Sequence, residues 1–282
     1  MRQTEAIDAI AGAAMADGLV EAALLKGSFG RGDEDAFSDV DLYLVVSPEV
    51  REAVLARRQT YLAAFDDPVF LEEVSFGLPQ LVAIFDDATH VDLYVALREE
   101  IGHEDPIRVW SGPSGLFEGF AWERAAVSDE TLVRLFSSAL FGIVEADSAY
   151  RRGNHAWAAK ILGDPAGSAA VLLRWPDDPT YAFLGLKKLN KIVSPERYRL
   201  LEGIYAHLGG PELPRAAELL TQALGAFLAE GGAVPARAAR PPLLGVGALG
   251  PGHDALPRRA LTRTRSAWAA PETEAPCSLY AA

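Results

Sequence analysis

Apolar residues recur at helical spacing across residues 3–17, where Ile7, Ile10 and Ala14 share one stripe and Gly18 supplies a stop, so a helix is predicted to open the chain. The apolar run 22–25 reads as a short strand. Residues 27–37, rich in Gly and Asp and without a period, read as a loop, and residues 40–46 alternate as a strand does. A helix is predicted over 48–65, with Ser47 as N-cap and Pro48 at its first position; 80–85 and 91–97 are further strands. After Asp129 the period becomes helical throughout, over 131–150, 155–162, 169–175 and 212–230. From Gly231 onward the chain lacks Lys, Asn, Ile and Phe and keeps no hydrophobic period, which predicts disorder or loose packing. Such a composition also arises when a GC-rich gene is read in a shifted frame, a hypothesis that resequencing tests by looking for an intact upstream frame. The predicted fold class is α+β: a small mixed β-sheet domain over residues 1–125, a C-terminal α-helical bundle domain over 126–230, and a poorly structured tail over 231–282.

Composition narrows the chemistry. A chain of 282 residues, half of them hydrophobic, can bury a sizeable core. Its formal net charge of -13 repels phosphate backbones and anionic membranes, so neither long nucleic acid nor a membrane is an expected partner. An anionic ligand would have to be drawn by local cationic groups and a metal. The single cysteine, Cys277, permits no internal disulfide and suggests no zinc site. Residues 1–20 carry Glu5, Asp8 and Asp17, and no uncharged run reaches transmembrane length without Gly and Pro, so a cytoplasmic location is expected.

Within the strand at 40–46, side-chain alternation puts Asp39, Asp41 and Tyr43 on one face and Val40, Leu42, Leu44 and Val46 on the other. The string Val-Asp-Leu-Tyr recurs at 91–94, with Asp92 again opposite the apolar face. Two strands would thus present carboxylates to one cleft. Carboxylates about 4 Å apart repel by roughly 4 kcal/mol at an effective dielectric near 20, so such a pair calls for a cation or a proton. Magnesium suits it, because it takes one or two carboxylates and completes its octahedron with water and phosphate oxygens. The preceding segment, residues 26–32, brings glycines that allow backbone N–H groups close approach, the Ser28 hydroxyl and the Arg31 guanidinium.

Gly27-Ser28, Arg31-Gly32 and Ser38-Asp39-Val40-Asp41 together resemble the signature of the DNA polymerase β-like nucleotidyltransferase superfamily. The resemblance covers roughly residues 20–100 and is nearest to the small-molecule enzymes, the aminoglycoside and lincosamide nucleotidyltransferases. It implies that Asp39 and Asp41 bind magnesium, two ions in all, and that Asp92 binds metal or accepts the acceptor's proton. It further implies that Gly27 and Ser28 hold ATP or another nucleoside triphosphate; Arg31, by its own chemistry, reads as a phosphate contact or as a partner of Asp33 or Asp35. The activity implied is transfer of AMP, or another nucleoside monophosphate, to a hydroxyl of a small molecule such as an antibiotic, in a cleft between the two domains. A protein-modifying, antitoxin-like enzyme and a catalytically silent nucleotide-binding protein are the alternatives. The gap between Asp41 and Asp92 is long for the family, with an insertion-like stretch at 66–77.

Blander roles are expected of other residues. Glu72, Glu73, Asp86 and Asp87 read as surface charge, and His90, on the face of Asp92, reads as structural. Trp110, Trp122 and Trp157 are expected in core or interdomain packing. Lys187, Lys188 and Lys191 read either as phosphate-reaching groups or as an exposed helix face.

Overall fold

The computed structural model describes residues 2–75, 77–113 and 115–230. They form two compact units, one ending at Arg124 and the other beginning at Ala125. The first contains α1 (Arg2–Ala16), β1 (Ala22–Leu25), α2 (Gly27–Arg31), β2 (Val40–Val45), α3 (Arg51–Leu62), β3 (Phe70–Ser75), β4 (Pro79–Ile84), β5 (His90–Ala96) and β6 (Arg108–Ser111). The strands form one six-stranded sheet in the order β3-β4-β5-β2-β1-β6. Only β2 and β5 pair in parallel; every other pairing is antiparallel, so the sheet is mixed.

Alternation along β2 and β5 explains how the sheet is covered. Val40, Leu42, Leu44, Val91, Leu93 and Val95 are fully buried on one face, where Ile7, Ile10 and Ala14 of α1 and Val54 and Leu62 of α3 complete the core. The other face carries Asp41, Tyr43, Asp92 and Tyr94. Its apolar part is limited to one end, where Ala22, Leu24, Val45 and Ala96 meet Ile101 and the partly buried Leu116, Phe117 and Phe120. One face is therefore sealed by helices, while polar groups lie on the other.

Three local expectations are corrected. Residues 27–31 form a short helix inside the predicted loop, ended by Gly32 in the left-handed region at φ 77°. Ser47 does not cap α3: the Val50 N–H donates to Ser47 O at 3.3 Å in a turn, and α3 begins at Arg51 without a side-chain cap. Val50 packs against the core, so burial sets the start of this helix rather than the Ser-Pro pair. The insertion-like stretch contains an ordered edge strand, β3. Five of its six residues are exposed, which removed the alternation that would have disclosed it.

The second unit contains α4 (Asp129–Arg151), α5 (His155–Arg174), α6 (Pro195–Ala206) and α7 (Leu213–Glu230). Side chains of Ser128, Asn154 and Ser194 accept from backbone N–H groups at the starts of α4, α5 and α6. The two helices expected over 155–175 are one, continuing through Pro165. A Cβ on Gly142 of α4 would lie 2.5 Å from Pro165 Cγ, so the ring sits where α4 has no side chain, and packing offsets the hydrogen bond the proline removes. The helical core is built largely of alanine and leucine, including Leu162, Leu172, Ala216 and Leu220.

Trp110 is partly buried and donates from Nε1 to Asp8 Oδ1 at 3.0 Å, but Trp122 and Trp157 are exposed, against expectation. Lys187, Lys188 and Lys191 lie in turns around a short 3-10 turn, Leu189–Lys191, and not along a helix face. No helix among the described residues is long and apolar enough to cross a membrane. The tail and Cys277 lie outside the described residues.

Candidate active site

The repeated tetrapeptide pairs with itself. Across the parallel β2–β5 ladder Val40 faces Val91, Asp41 faces Asp92, Leu42 faces Leu93 and Tyr43 faces Tyr94. Neighbouring strands lie about 4.7–4.9 Å apart, so the two aspartates stand side by side on one face of the sheet. The tyrosines confirm the shared face, since their rings stack with centroids 4.2 Å apart and planes 12° from parallel. Such stacking contributes about 0.5–1.5 kcal/mol beyond the area it buries. Asp39 precedes the first residue of β2, so it lies outside the strand although adjacent to the pair.

The turn into α2 lies directly against Asp41. The Lys26 N–H donates to Asp41 O at 3.1 Å, which fastens the end of β1 to β2. At Gly27, with φ 57°, an added Cβ would lie 1.9 Å from Asp41 Oδ2, a separation no side chain can occupy. Ser28 is buried, and its Oγ has no hydrogen-bond partner among the described residues. A buried hydroxyl usually has one, so Ser28 is suited to an incoming acceptor or donor. Arg31 lies one turn on, in an ion pair with Asp33 Oδ1 at 3.3 Å.

Two contacts of the site lie outside the sequence expectations. The Lys26 side chain is buried, donates to Glu104 Oε1 at 2.6 Å and to Gly102 O at 2.8 Å, and lies 5.9 Å from the centre of the Tyr43 ring. This ties the start of the α2 turn to the segment after β5. His90, read from sequence as structural, donates from Nε2 to Asp92 Oδ1 at 3.0 Å. Its position two residues before Asp92 on a strand was the available signal.

The electrostatics follow from this crowding of acid groups. The hydrogen bond to Asp92 raises the imidazole of His90 above its ordinary value against the opposing effect of burial, and the charges of Asp92, Asp39 and Asp41 add to it. Burial, reinforced by neighbouring groups including Asp41, raises both Tyr43 and Tyr94, so both phenols stay protonated at neutral pH. Burial alone would raise Glu104, but the hydrogen bond from Lys26 and its charge bring that carboxyl below the ordinary range.

Among the described residues no three His, Cys, Asp or Glu side chains gather closely enough to hold a metal ion by themselves. The Asp41–Asp92 pair nevertheless fits magnesium, which needs only one or two carboxylates when phosphate oxygens and water fill the remaining positions. Beside the pair lie the turn at Gly27, packed against Asp41 Oδ2, and the buried Ser28 hydroxyl, which has no hydrogen-bond partner among the described residues.

No protein-family model matches the chain, and no curated protein matches it. The solved structures similar to it include the following two. One is an aminoglycoside 6-adenyltransferase from Bacillus subtilis, 10% identical, with a TM-score of 0.41 over 96% of this chain and 99% of the other. The second is a nucleotidyltransferase-like protein from Exiguobacterium sibiricum, 12% identical, with a TM-score of 0.33 over 93% of this chain and 87% of the other.

Proposed function

We propose that this protein is a magnesium-dependent nucleotidyltransferase that moves a nucleoside monophosphate, AMP when the donor is ATP, onto a hydroxyl of a small-molecule acceptor. The observation that carries this reading is the in-register Asp41–Asp92 pair with the Gly27 backbone against Asp41 Oδ2. Asp41 and Asp92, with Asp39 beside them, would hold magnesium. When bound, magnesium supplies Lewis-acid neutralisation of charge on the phosphoryl oxygens.

The residues of the chain do the rest. Gly27, having no side chain, lets its turn lie against Asp41 Oδ2 and so keeps the backbone of the turn beside the carboxylate that would hold the metal. The Ser28 hydroxyl gains in the ligand the partner it lacks among the described residues. Arg31 presents a planar guanidinium to the phosphates, for which its ion-pair partner Asp33 competes. Asp92 accepts the proton of the attacking hydroxyl, a role worth on the order of 10²- to 10⁴-fold. In the balanced step the acceptor oxygen bonds to the α-phosphorus, the bond from that phosphorus to the bridging oxygen breaks, and pyrophosphate leaves. Local cationic groups matter here because the formal net charge of -13 opposes the approach of a triphosphate.

Incubation with ATP labelled at the α-phosphate, Mg2+ and a panel of hydroxylated small molecules, including aminoglycosides and lincosamides, tests the reading. Label recovered on a small molecule supports it. Label on protein favours the protein-modifying alternative, and no transfer to any acceptor favours the silent binding protein.

A further inference from the structure

We propose that His90 is the positioning residue for Asp92: its imidazole holds Oδ1 of the carboxylate and so leaves Oδ2 as the oxygen that serves the reaction. The inference rests on the nucleotidyl-transfer reading and assigns a part to a residue outside the carboxylate set. His90 and Asp92 lie two apart on β5, hence on one face, with Nε2 and Oδ1 separated by 3.0 Å. The Asp92 side chain is 14% exposed and that of His90 39%, so the pair is partly buried rather than fully solvated.

The surroundings give the contact direction. Val40 pairs with Val91, which sets His90 level with Asp39 on one flank, and Ile84 of β4 pairs with His90 on the other. The imidazole therefore has hydrocarbon on one side and carboxylates on the other, and its bond goes to Asp92. An aspartate can turn about its side-chain bonds, and a carboxylate with one oxygen tied cannot exchange its two oxygens freely. Groups that orient a metal-binding or catalytic carboxylate in this way are typically worth about 10- to 100-fold in metal affinity or activity.

The test compares wild type with H90A, H90N and H90Q. Glutamine carries an N–H donor at a reach close to that of Nε2; asparagine is polar but too short. Three quantities are read: Mn2+ affinity of the protein alone by calorimetry, melting temperature, and kcat and KM for α-labelled ATP with an acceptor. H90A and H90N are expected to melt close to wild type, to bind Mn2+ about 10- to 100-fold more weakly, and to lose kcat by a similar factor with KM for ATP little changed. H90Q is expected to recover most of both losses. Wild-type Mn2+ affinity and kcat in H90A overturn the proposal, as does an H90Q as impaired as H90A. D92N separates the two levels. If D92N loses Mn2+ binding while H90A keeps it, the role of His90 alone fails. If D92N binds Mn2+ like wild type, the carboxylate assignment fails and takes this proposal with it.

Discussion

Replacing Gly27 by alanine probes the phosphate turn and Asp41 in a single change. The new Cβ would lie 1.9 Å from Asp41 Oδ2 and 3.0 Å from its Cγ. The glycine also holds φ at 57°, where a residue with a Cβ costs about 1–2 kcal/mol. The obstructing atoms belong to the end of a side chain rather than to backbone, so the fold yields by turning the carboxylate aside. Restoring a tolerable 3.0 Å requires that Oδ2 move by about 1.1 Å. Misplacement of about 1 Å at a reacting centre costs roughly 10²-fold. Stability should therefore fall by about 1–2 kcal/mol, a drop of several degrees in melting temperature, while nucleotidyl transfer falls by about 100-fold or more. Scanning fluorimetry and release of pyrophosphate measure the two. A folded Gly27→Ala protein with turnover close to wild type refutes the reasoning, because Asp41 would then be either undisturbed or dispensable.

Ser28→Ala should act in the opposite sense on the free protein. Its Oγ has no internal partner, so stability should hold or rise, while triphosphate affinity falls by about 1.5–3 kcal/mol, some 10- to 100-fold, measurable by calorimetry; a destabilised variant with full affinity contradicts this. In the helical unit, Gly142→Ala drives a Cβ to within 2.5 Å of Pro165 Cγ and should cost about 1–3 kcal/mol in urea unfolding, a cost whose absence would mean that α4 and α5 do not meet there. Asp87 is held at about 2, first by its hydrogen bond from Arg2 and then by Thr89, against an ordinary 3.8. A depressed carboxyl contributes stability that is present above the unfolded value and lost as pH falls through about 2. In Arg2→Ala its carboxyl carbon resonance should titrate nearer the ordinary value, and an unmoved titration would show that Arg2 is not the cause.

Much of the first unit was legible because one face of its sheet is buried. Alternation in β2 and β5 follows from that burial, and the repeated Val-Asp-Leu-Tyr string fixed which side would carry the acids. Edge elements escaped for the converse reason: β3 is exposed on both faces and β6 is only four residues long, so neither shows a period. Ser-Pro pairs illustrate how far local signals reach. At 194–195 the pair opens a helix, with Ser194 accepting from the Arg197 N–H. At 47–48 the same pair predicts a helix start, but α3 begins at Arg51, with Val50 packed against the core. Pro165 similarly reads as a break until Gly142, more than twenty residues away in sequence, is seen to make room for it. The site divides in the same way. Asp41 and Asp92 could be found by spacing along strands, whereas the contact of Gly27 with Asp41 and the Lys26–Glu104 lock depend on segments brought together only by folding.

The central claim is that the Asp41–Asp92 pair binds a nucleoside triphosphate through a divalent cation. Its most direct test is ATP affinity measured by calorimetry across Mg2+ concentrations, from chelator to millimolar metal, for the wild type and for Asp41→Asn. The account predicts that wild-type affinity climbs at least about tenfold as Mg2+ is added, and that the climb is lost in a variant that still melts cooperatively. Wild-type affinity indifferent to Mg2+ over the whole range, or an unchanged climb in folded Asp41→Asn, would contradict it.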